Sequence, residues 1–513
     1  MVYIASPGIK SGARLLDRII AVTIGVFAAF YYLWLMDGWG FPGPISHMGD
    51  FAYNYLFLSL LDGHLYVPVR TIGHEGHYDA EGRAFMYHGI APLVVRLLAY
   101  PFVDLKSTPL GSYTVGSMAI LGSATYSYIT IRLLESVSNL SSSLRLTLTA
   151  MLSLSVWFVG GGLIVATNSS IYQEPISIAY AMMALFIAVI FRADLSLKGL
   201  RPHTLIVLSL IAGVTLHARP HLAIGMYATL VLVVINHLYQ HYVLAGGLKK
   251  AVAADNRSQV ARTIGPALLV LSCFGFLLLF LNAARFGNAF ASQGGSTGDS
   301  IYGVIYWHVE DIAEFSMAPF EEMGTFNLRR ALPNFVEYFG GEAFISVTEI
   351  LGELFKSGYI MKESPSFGII GLWITWSAVI LCPTYSRRSH LSGTKQQFFA
   401  LLAAGIGAVL LLSFPAVSFR YRVDLWPVFF VLAAIRLPGI IEWLSAQKEK
   451  RRRIVLALCC LFTLYGVALN FQISGKYSEL WLPDDSLWSA EKCVLKARSM
   501  DFSSEKIART CRL

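Results

Sequence analysis

Apolar stretches of about 20 residues alternate with shorter polar segments along most of the chain, and this is the length that a helix needs to cross a bilayer. The pattern predicts eleven membrane-spanning helices. They cover residues 18–36, 109–131, 146–166, 175–192, 204–218, 222–240, 264–284, 367–383, 398–414, 425–443 and 454–471. A further apolar segment, 90–104, contains Arg96 and two prolines, which favours an interfacial or re-entrant helix.

Lysine and arginine predict the orientation of these helices. Lys10, Arg14 and Arg18 precede the first span, which places the N-terminus inside. Counting spans from there places the basic connecting segments inside, at 132–145, 192–201, 249–262, 387–395 and 448–453. The outer segment 167–174, in contrast, has no Lys or Arg. An odd number of spans puts the C-terminus outside, so we expect a multi-pass protein of a bacterial inner (plasma) membrane with a cytoplasmic N-terminus.

Composition supports the membrane assignment. Of the 513 residues, 55% are hydrophobic and only 14% are charged, whereas a soluble chain is about one-quarter charged. The net charge of +8 comes from Lys and Arg between apolar segments, so it does not indicate a nucleic-acid partner. We predict an all-α transmembrane domain over 1–471, with long outer loops at 37–108 and 285–366. Loops of that length are usually functional.

Two acidic residues lie at the outer ends of predicted spans. Asp50 follows the first span and Glu174 precedes Pro175 in the second outer loop. A carboxylate near hydrocarbon is costly, and two on one face of the membrane can form an acid/base site. Helix capping by Asp50 and a favourable helix-dipole contact of Glu174 are the structural alternatives.

Basic and aromatic residues lie at two other outer positions. The run His217-Ala218-Arg219-Pro220-His221 joins two spans, and Arg420-Tyr421-Arg422-Val423-Asp424 precedes another. Arginine suits a phosphate because its fork binds two oxygens. A tight turn for the first run and arginines that reach the headgroups for the second are the alternatives. Lesser candidates are Arg329, Arg330, His74, His77 and His88.

The order of features in the first outer loop resembles a known superfamily. Asp50 is followed by an aromatic-rich apolar helix over 51–61, then by Gly63, Tyr66 and Pro68, and later by the turn Ala91-Pro92-Leu93. This order resembles the GT-C membrane glycosyltransferases, in particular protein-mannosyltransferase-like and aminoarabinose-transferase-like enzymes. The chain departs from many members in having Phe51 directly after Asp50 and Gly89-Ile90-Ala91-Pro92 in place of Lys-Pro-Pro.

The resemblance implies transfer of a sugar from a polyprenyl-phosphate donor to a glycan, lipid or protein acceptor on the outer face. Asp50 matches the catalytic base of that superfamily, and Glu174 matches its second acidic position, as an acceptor-orienting or metal-binding partner. Arg219, Arg420 and Arg422 would bind the donor phosphate, with His88, His217, His221 and Tyr421 as secondary candidates. A divalent cation, Mg²⁺ or Mn²⁺, would be the cofactor if one is needed. The alternatives are a flippase or transporter of lipid-linked sugars, and an O-antigen ligase or polymerase.

Cysteines give one further expectation. Cys493 and Cys511 lie in the polar segment 472–513, which the predicted topology places in an oxidising compartment. We therefore predict a Cys493–Cys511 disulfide in the external tail, with two unpaired thiols as the alternative.

Overall fold

The structure is a computed structural model. It describes residues 11–37, 49–72, 76–78, 83–137, 140–196, 199–244, 254–290, 323–358, 361–362, 376, 379–380 and 394–479. Sixteen α-helices occur among these residues. They are α1 Ser11–Asp37, α2 Ala52–Leu61, α3 Val69–Ile72, α4 Leu93–Ala99, α5 Leu110–Ser136, α6 Ser142–Phe158, α7 Gly161–Val165, α8 Gln173–Arg192, α9 Pro202–Leu216, α10 Pro220–Leu244, α11 Ala254–Phe286, α12 Ala331–Gly340, α13 Ile345–Phe355, α14 Thr394–Leu412, α15 Arg422–Ser445 and α16 Glu449–Glu479.

Eight segments within the described residues are long and apolar enough to cross a membrane. They are Leu15–Met36, Ser142–Val165, Gln173–Arg192, Pro220–Val243, Val260–Phe286, Lys395–Leu412, Phe419–Ser445 and Glu449–Tyr477. The prediction of an all-α integral membrane protein is therefore confirmed. α5 and α9 coincide with two more predicted spans, but α9 has only 15 residues. Most of the predicted span 367–383 lies outside the described residues, so the count of eleven stays a prediction.

The core of the helical bundle lies where α5, α8 and α15 meet. Tyr126 of α5 contacts the rings of Tyr180 and Trp426, with centroids 5.5 Å and 5.7 Å away. α5 approaches α8 closely at Gly122, where an added Cβ would lie 2.3 Å from the Tyr180 ring. A glycine is therefore required at this contact, and the packing of α5 on α8 fixes the starts of the two helices, at residues 110 and 173, relative to each other.

The described part of the predicted first outer loop folds into a small unit at the end of the bundle where α5 and α8 begin. Three short strands, β1 Tyr66–Val67, β2 His77–Tyr78 and β3 Ala84–Phe85, pair antiparallel in the order β1-β3-β2. The register sets Tyr66 and His77 opposite Phe85. A separate apolar cluster joins this unit to the bundle, and it contains Tyr53, Leu56, Val67, Met86, Leu93, Leu110 and Ile171.

The predicted segment 90–104 becomes the seven-residue helix α4, shorter than expected because Pro92 and Pro101 bound it. Its apolar side chains Leu97 and Leu98 are exposed, as a helix at the lipid interface requires. Arg96 points the other way and is fully buried.

The segments predicted as the second outer loop and the tail are described in part. α12 and α13 pack together within the 285–366 loop, and β4 Met361–Lys362 pairs in parallel with β5 Ala416–Val417. α16 continues past residue 471, with Ile473 and Tyr477 buried in the core, so the tail begins as helix. Cys493 and Cys511 lie outside the described residues, and their disulfide stays a prediction.

Candidate functional site

Asp50 is buried at the end of the bundle where α5 and α8 begin, with only 2% of its surface exposed. Gly49 precedes it at φ +80° against Ile171, a conformation that favours glycine. The Ser169 hydroxyl donates to Asp50 Oδ1 at 2.5 Å, and the Ser112 hydroxyl donates to Ser169 at 3.1 Å. Phe51, not Asp50, occupies the N-cap position of α2.

Glu174 lies in the first turn of α8 and forms a buried ion pair with Arg96 of α4. Arg96 donates from both terminal nitrogens to the two Glu174 oxygens, with Nη2 to Oε1 at 3.0 Å, and neither side chain is exposed. Arg96 also donates to Asn54 Oδ1 and to the Thr114 hydroxyl, each at 3.0 Å. These bonds lower the large cost of burying both charges.

Asp50 and Glu174 both lie close to Gly111 of α5. A Cβ added to Gly111 would lie 3.1 Å from Asp50 Oδ1 and 3.2 Å from Glu174 Oε1. The two carboxylate oxygens are therefore separated by less than twice 3.2 Å. Residues 124 positions apart in the sequence thus line one small space.

The closeness of Asp50 and Glu174 to Gly111 predicts the effect of Gly111→Ala. The new methyl group would crowd both carboxylates, so we expect about a tenfold loss of any activity that depends on Asp50. Helix stability should not fall, because alanine is the better helix former by about 1 kcal/mol. Gly116→Ala on the same helix is the matched control, because its Cβ would meet only the flexible Leu33 and Met36 side chains. Equal losses of activity in the two variants would contradict the prediction.

The segment 169–174 contacts each part of the site. Ser169 binds Asp50, the Tyr172 ring lies 4.2 Å from the Arg420 guanidinium carbon, and Glu174 binds Arg96. Gln173 anchors the segment, because its side-chain amide donates to the carbonyls of Ile164 and Val165 at 3.1 Å and 2.9 Å. This short segment therefore connects the two carboxylates to Arg420, which lies just before α15.

Arg219, His221 and Asp424 form a second cluster at the start of α10 and α15. Arg219 donates from Nη2 to Asp424 Oδ2, and His221 Nε2 lies 3.2 Å from the same oxygen. The Arg219 and Arg420 guanidinium groups both lie over the Tyr421 ring, at 4.7 Å and 5.4 Å from its centroid. The structure thus brings Arg219, Arg420 and Tyr421 together at one position.

Arg422 points elsewhere. It is buried, its guanidinium carbon lies 5.4 Å from the Phe419 ring centroid, and it interacts electrostatically with Tyr338 and Glu337 of α12. A one-turn helix, Phe419–Tyr421, precedes α15, so successive side chains point in different directions around the chain. The three predicted phosphate-binding arginines therefore divide into Arg219 and Arg420 on one side and Arg422 on the other.

His88 lies against this arginine group. Its ring stacks on Tyr87 at 4.0 Å and meets the Tyr172 ring edge-on at 5.1 Å. Burial, and after it the charge of Arg420, hold the pKa of His88 well below its ordinary value, so the imidazole is neutral. Among the described residues neither ring nitrogen has a hydrogen-bond partner, although both are buried. A neutral imidazole can both donate and accept a hydrogen bond.

Most of the other histidine and arginine candidates contact backbone carbonyls or aromatic rings. His217 Nε2 is 3.1 Å from the Phe274 carbonyl, and the His217 carbonyl accepts from Ala91 N at 2.9 Å. Arg330 is buried and donates to the backbone carbonyls of Gly324 and Ser357, whereas Arg329 is exposed. His77 is buried against Tyr87 and Phe286, and His74 lies outside the described residues.

Sequence reasoning missed the role of Arg96. It entered only as an interruption of an apolar segment, whereas the structure gives it the central ion pair of the site. The available signal was the arginine itself, because a charge in an apolar segment is kept for a partner. Within the described part of the chain, no three His, Cys, Asp or Glu side chains are grouped so as to hold a metal ion.

Comparisons with known proteins assign the chain to no family. No family model matches the chain, and no curated protein matches it. The crystal structure of ArnT from Cupriavidus metallidurans bound to undecaprenyl phosphate matches over 96% of this chain and 74% of that chain, with 11% identity and a TM-score of 0.39. A likeness of this size assigns no function. The assignment of this chain as an all-α integral membrane protein rests on the helices of its own described residues.

Proposed function

We propose that the protein is a membrane glycosyltransferase that moves a sugar from a polyprenyl-phosphate donor to an acceptor hydroxyl. One observation carries the proposal: the short segment 169–174 contacts the buried carboxylate Asp50 through Ser169 and the cation Arg420 through Tyr172, and Arg420 shares the Tyr421 ring with Arg219. A base next to cations matches the two requirements of this reaction, which are proton removal and stabilisation of a departing phosphate.

In the proposed reaction the acceptor oxygen forms a bond to the anomeric carbon of the sugar, and the bond from that carbon to the phosphate oxygen breaks. The electron pair of the broken bond leaves with the polyprenyl phosphate. Asp50 takes the proton from the acceptor hydroxyl. Ser169 donates to Asp50 Oδ1, which holds the carboxylate in position for this transfer.

Glu174 has a positioning role in this scheme. Both of its oxygens bind Arg96, so its charge is already balanced. The pair fixes α4 against the start of α8. It also holds the Glu174 carboxylate close to Gly111, which Asp50 approaches as well. Asp50 is then the carboxylate that we assign to proton transfer.

Two buried polar groups, one next to Arg96 and one next to Tyr172, support the binding of a ligand at the proposed site. The Tyr53 hydroxyl and the His88 ring nitrogens are buried and have no protein partner among the described residues. Tyr53 lies beneath Arg96, 5.6 Å from its guanidinium carbon, and burial followed by the Glu174 charge raises the Tyr53 pKa well above its ordinary value. Substrate hydroxyl or phosphate oxygens would satisfy both of these groups.

Arg420→Lys is expected to weaken donor binding. Lysine keeps the charge but loses the planar stacking on Tyr172 and the two-pronged contact with a phosphate. We expect the Kd for a polyprenyl phosphate to rise about tenfold, measured by titration of the purified protein in detergent. Arg453→Lys is the control, because Arg453 is exposed and its ion pair among the described residues is with Glu449 on α16. An unchanged Kd in Arg420→Lys would remove Arg420 from the proposed phosphate site.

The proposed function is tested by supplying the purified protein with a panel of polyprenyl-phosphate sugars and extracted membrane acceptors. Mass spectrometry then measures whether free polyprenyl phosphate and a glycosylated acceptor appear together. A transporter of lipid-linked sugars would move the donor across a vesicle membrane and leave it intact. Donor movement without cleavage would therefore favour that alternative over transfer.

A further inference from the structure

A second feature lies at the opposite end of the bundle, away from Asp50. A cavity of about 480 Å³ opens between α5, α8 and α9. Its lining includes Ala124, Tyr128, Ala188, Val189, Arg192 and Thr204. Tyr128 is 43% exposed and Arg192 is exposed, so the cavity is a groove that opens on the surface of the bundle. We name it the α5–α8 groove.

The shape of the α5–α8 groove follows from small residues on facing helices. Ala124 on α5 and Ala188 on α8 leave room where larger side chains would close the surface. Its lining on α8 runs from Leu185 to Arg192, which is a length of roughly 10 Å along the helix. Since one leaflet of the hydrocarbon core is about 15 Å thick, the groove has the length of an acyl-chain segment.

Charge distinguishes the mouth of the groove from its apolar floor. Arg192 lies in the last turn of α8, and its guanidinium carbon lies 5.9 Å from the Tyr128 ring centroid. Among the described residues Arg192 forms no ion pair. Arg18 and Arg132, which are both exposed, lie at the same end of the bundle and pair with Glu135. This basic end is the one that the positive-inside rule places at the cytoplasmic leaflet, whose lipids are rich in anionic headgroups.

We propose that the α5–α8 groove binds one anionic phospholipid, with an acyl chain on Ala124, Ala188 and Val189 and the phosphate on Arg192. The guanidinium donates charge-assisted hydrogen bonds to the phosphate oxygens. Tyr128 lies at the level of the headgroup, where its ring is apolar and its hydroxyl is wet. A zwitterionic headgroup brings its own cation toward Arg192 and binds less well. This site is independent of the proposed glycosyl transfer.

Native mass spectrometry of the purified full-length chain tests the site, with dioleoyl phosphatidylglycerol and dioleoyl phosphatidylcholine added in turn. We expect one phosphatidylglycerol to be retained about fivefold better than phosphatidylcholine, and Arg192→Gln to abolish that preference. Arg453→Gln is the matched control, because it removes an exposed arginine from α16 and should keep the preference.

A second variant tests the apolar floor. Ala188→Leu fills the groove with a residue that still suits a helix in a membrane, so retention of both lipids should fall. Soluble glycerol 3-phosphate should not compete, since it lacks an acyl chain. Equal retention of the two lipids by the unmodified protein, or unchanged phosphatidylglycerol retention in Arg192→Gln, would overturn the proposal.

Discussion

Asp50→Asn is expected to reduce sugar transfer by at least about 100-fold while leaving the protein folded. Asparagine has the shape of aspartate, and its amide oxygen can still accept the hydrogen bond from Ser169. What it loses is the ability to take a proton from the acceptor hydroxyl. The measurement is the rate of glycosylated product formation by purified protein, with the Tm recorded for each variant.

Asp62→Asn is the control for Asp50→Asn. Asp62 belongs to the same outer loop, directly after α2, but its side chain is exposed. It should keep full activity and stability. Full activity in Asp50→Asn would remove the general-base assignment, and a large fall in Tm with no separate loss of turnover would give Asp50 a structural role.

Arg96→Met is expected to destabilise the protein by about 3–5 kcal/mol, because it leaves the Glu174 carboxylate buried without its partner. The double variant Arg96→Met with Glu174→Gln should recover part of that loss, since no uncompensated charge then remains. Unfolding of the purified protein by denaturant, followed by tryptophan fluorescence, gives the free energies of the single and double variants.

The exposed pair Arg453–Glu449 provides the comparison. Both of its side chains are more than half exposed, so Arg453→Met should change the free energy of unfolding little. If Arg96→Met were tolerated as well as Arg453→Met, the buried pair would not hold α4 to α8. If the double variant were as unstable as the single one, the loss would come from packing and not from charge.

The helices were predictable because a bilayer imposes a length and a polarity that appear directly in the sequence. Apart from the segment at 367–383, each predicted span coincides with a helix of the structure. Asp50 and Glu174 were predictable as neighbours for a related reason. Spans alternate in direction, so loops on one side are assigned by counting, and acidic residues at their ends are restricted to one surface.

The direction of each side chain around its helix was not predictable in the same way. Arg420, Arg422 and Asp424 form one run in the sequence, yet Arg420 faces Tyr172, Arg422 faces α12 and Asp424 binds Arg219. The Arg96–Glu174 pair joins positions 78 residues apart. Such contacts depend on how helices pack, which a single sequence without internal repeats does not specify.

The most direct test of the central claim is photocrosslinking with a polyprenyl phosphate that carries a photoreactive group next to the phosphate. After irradiation of the purified protein, mass spectrometry identifies the labelled peptides. The proposed site predicts labels within residues 169–174 and 419–424, with competition by unlabelled polyprenyl phosphate and weaker labelling in Arg420→Lys. Labelling confined to the opposite end of the bundle, around Arg192, would contradict a lipid-phosphate site beside Asp50.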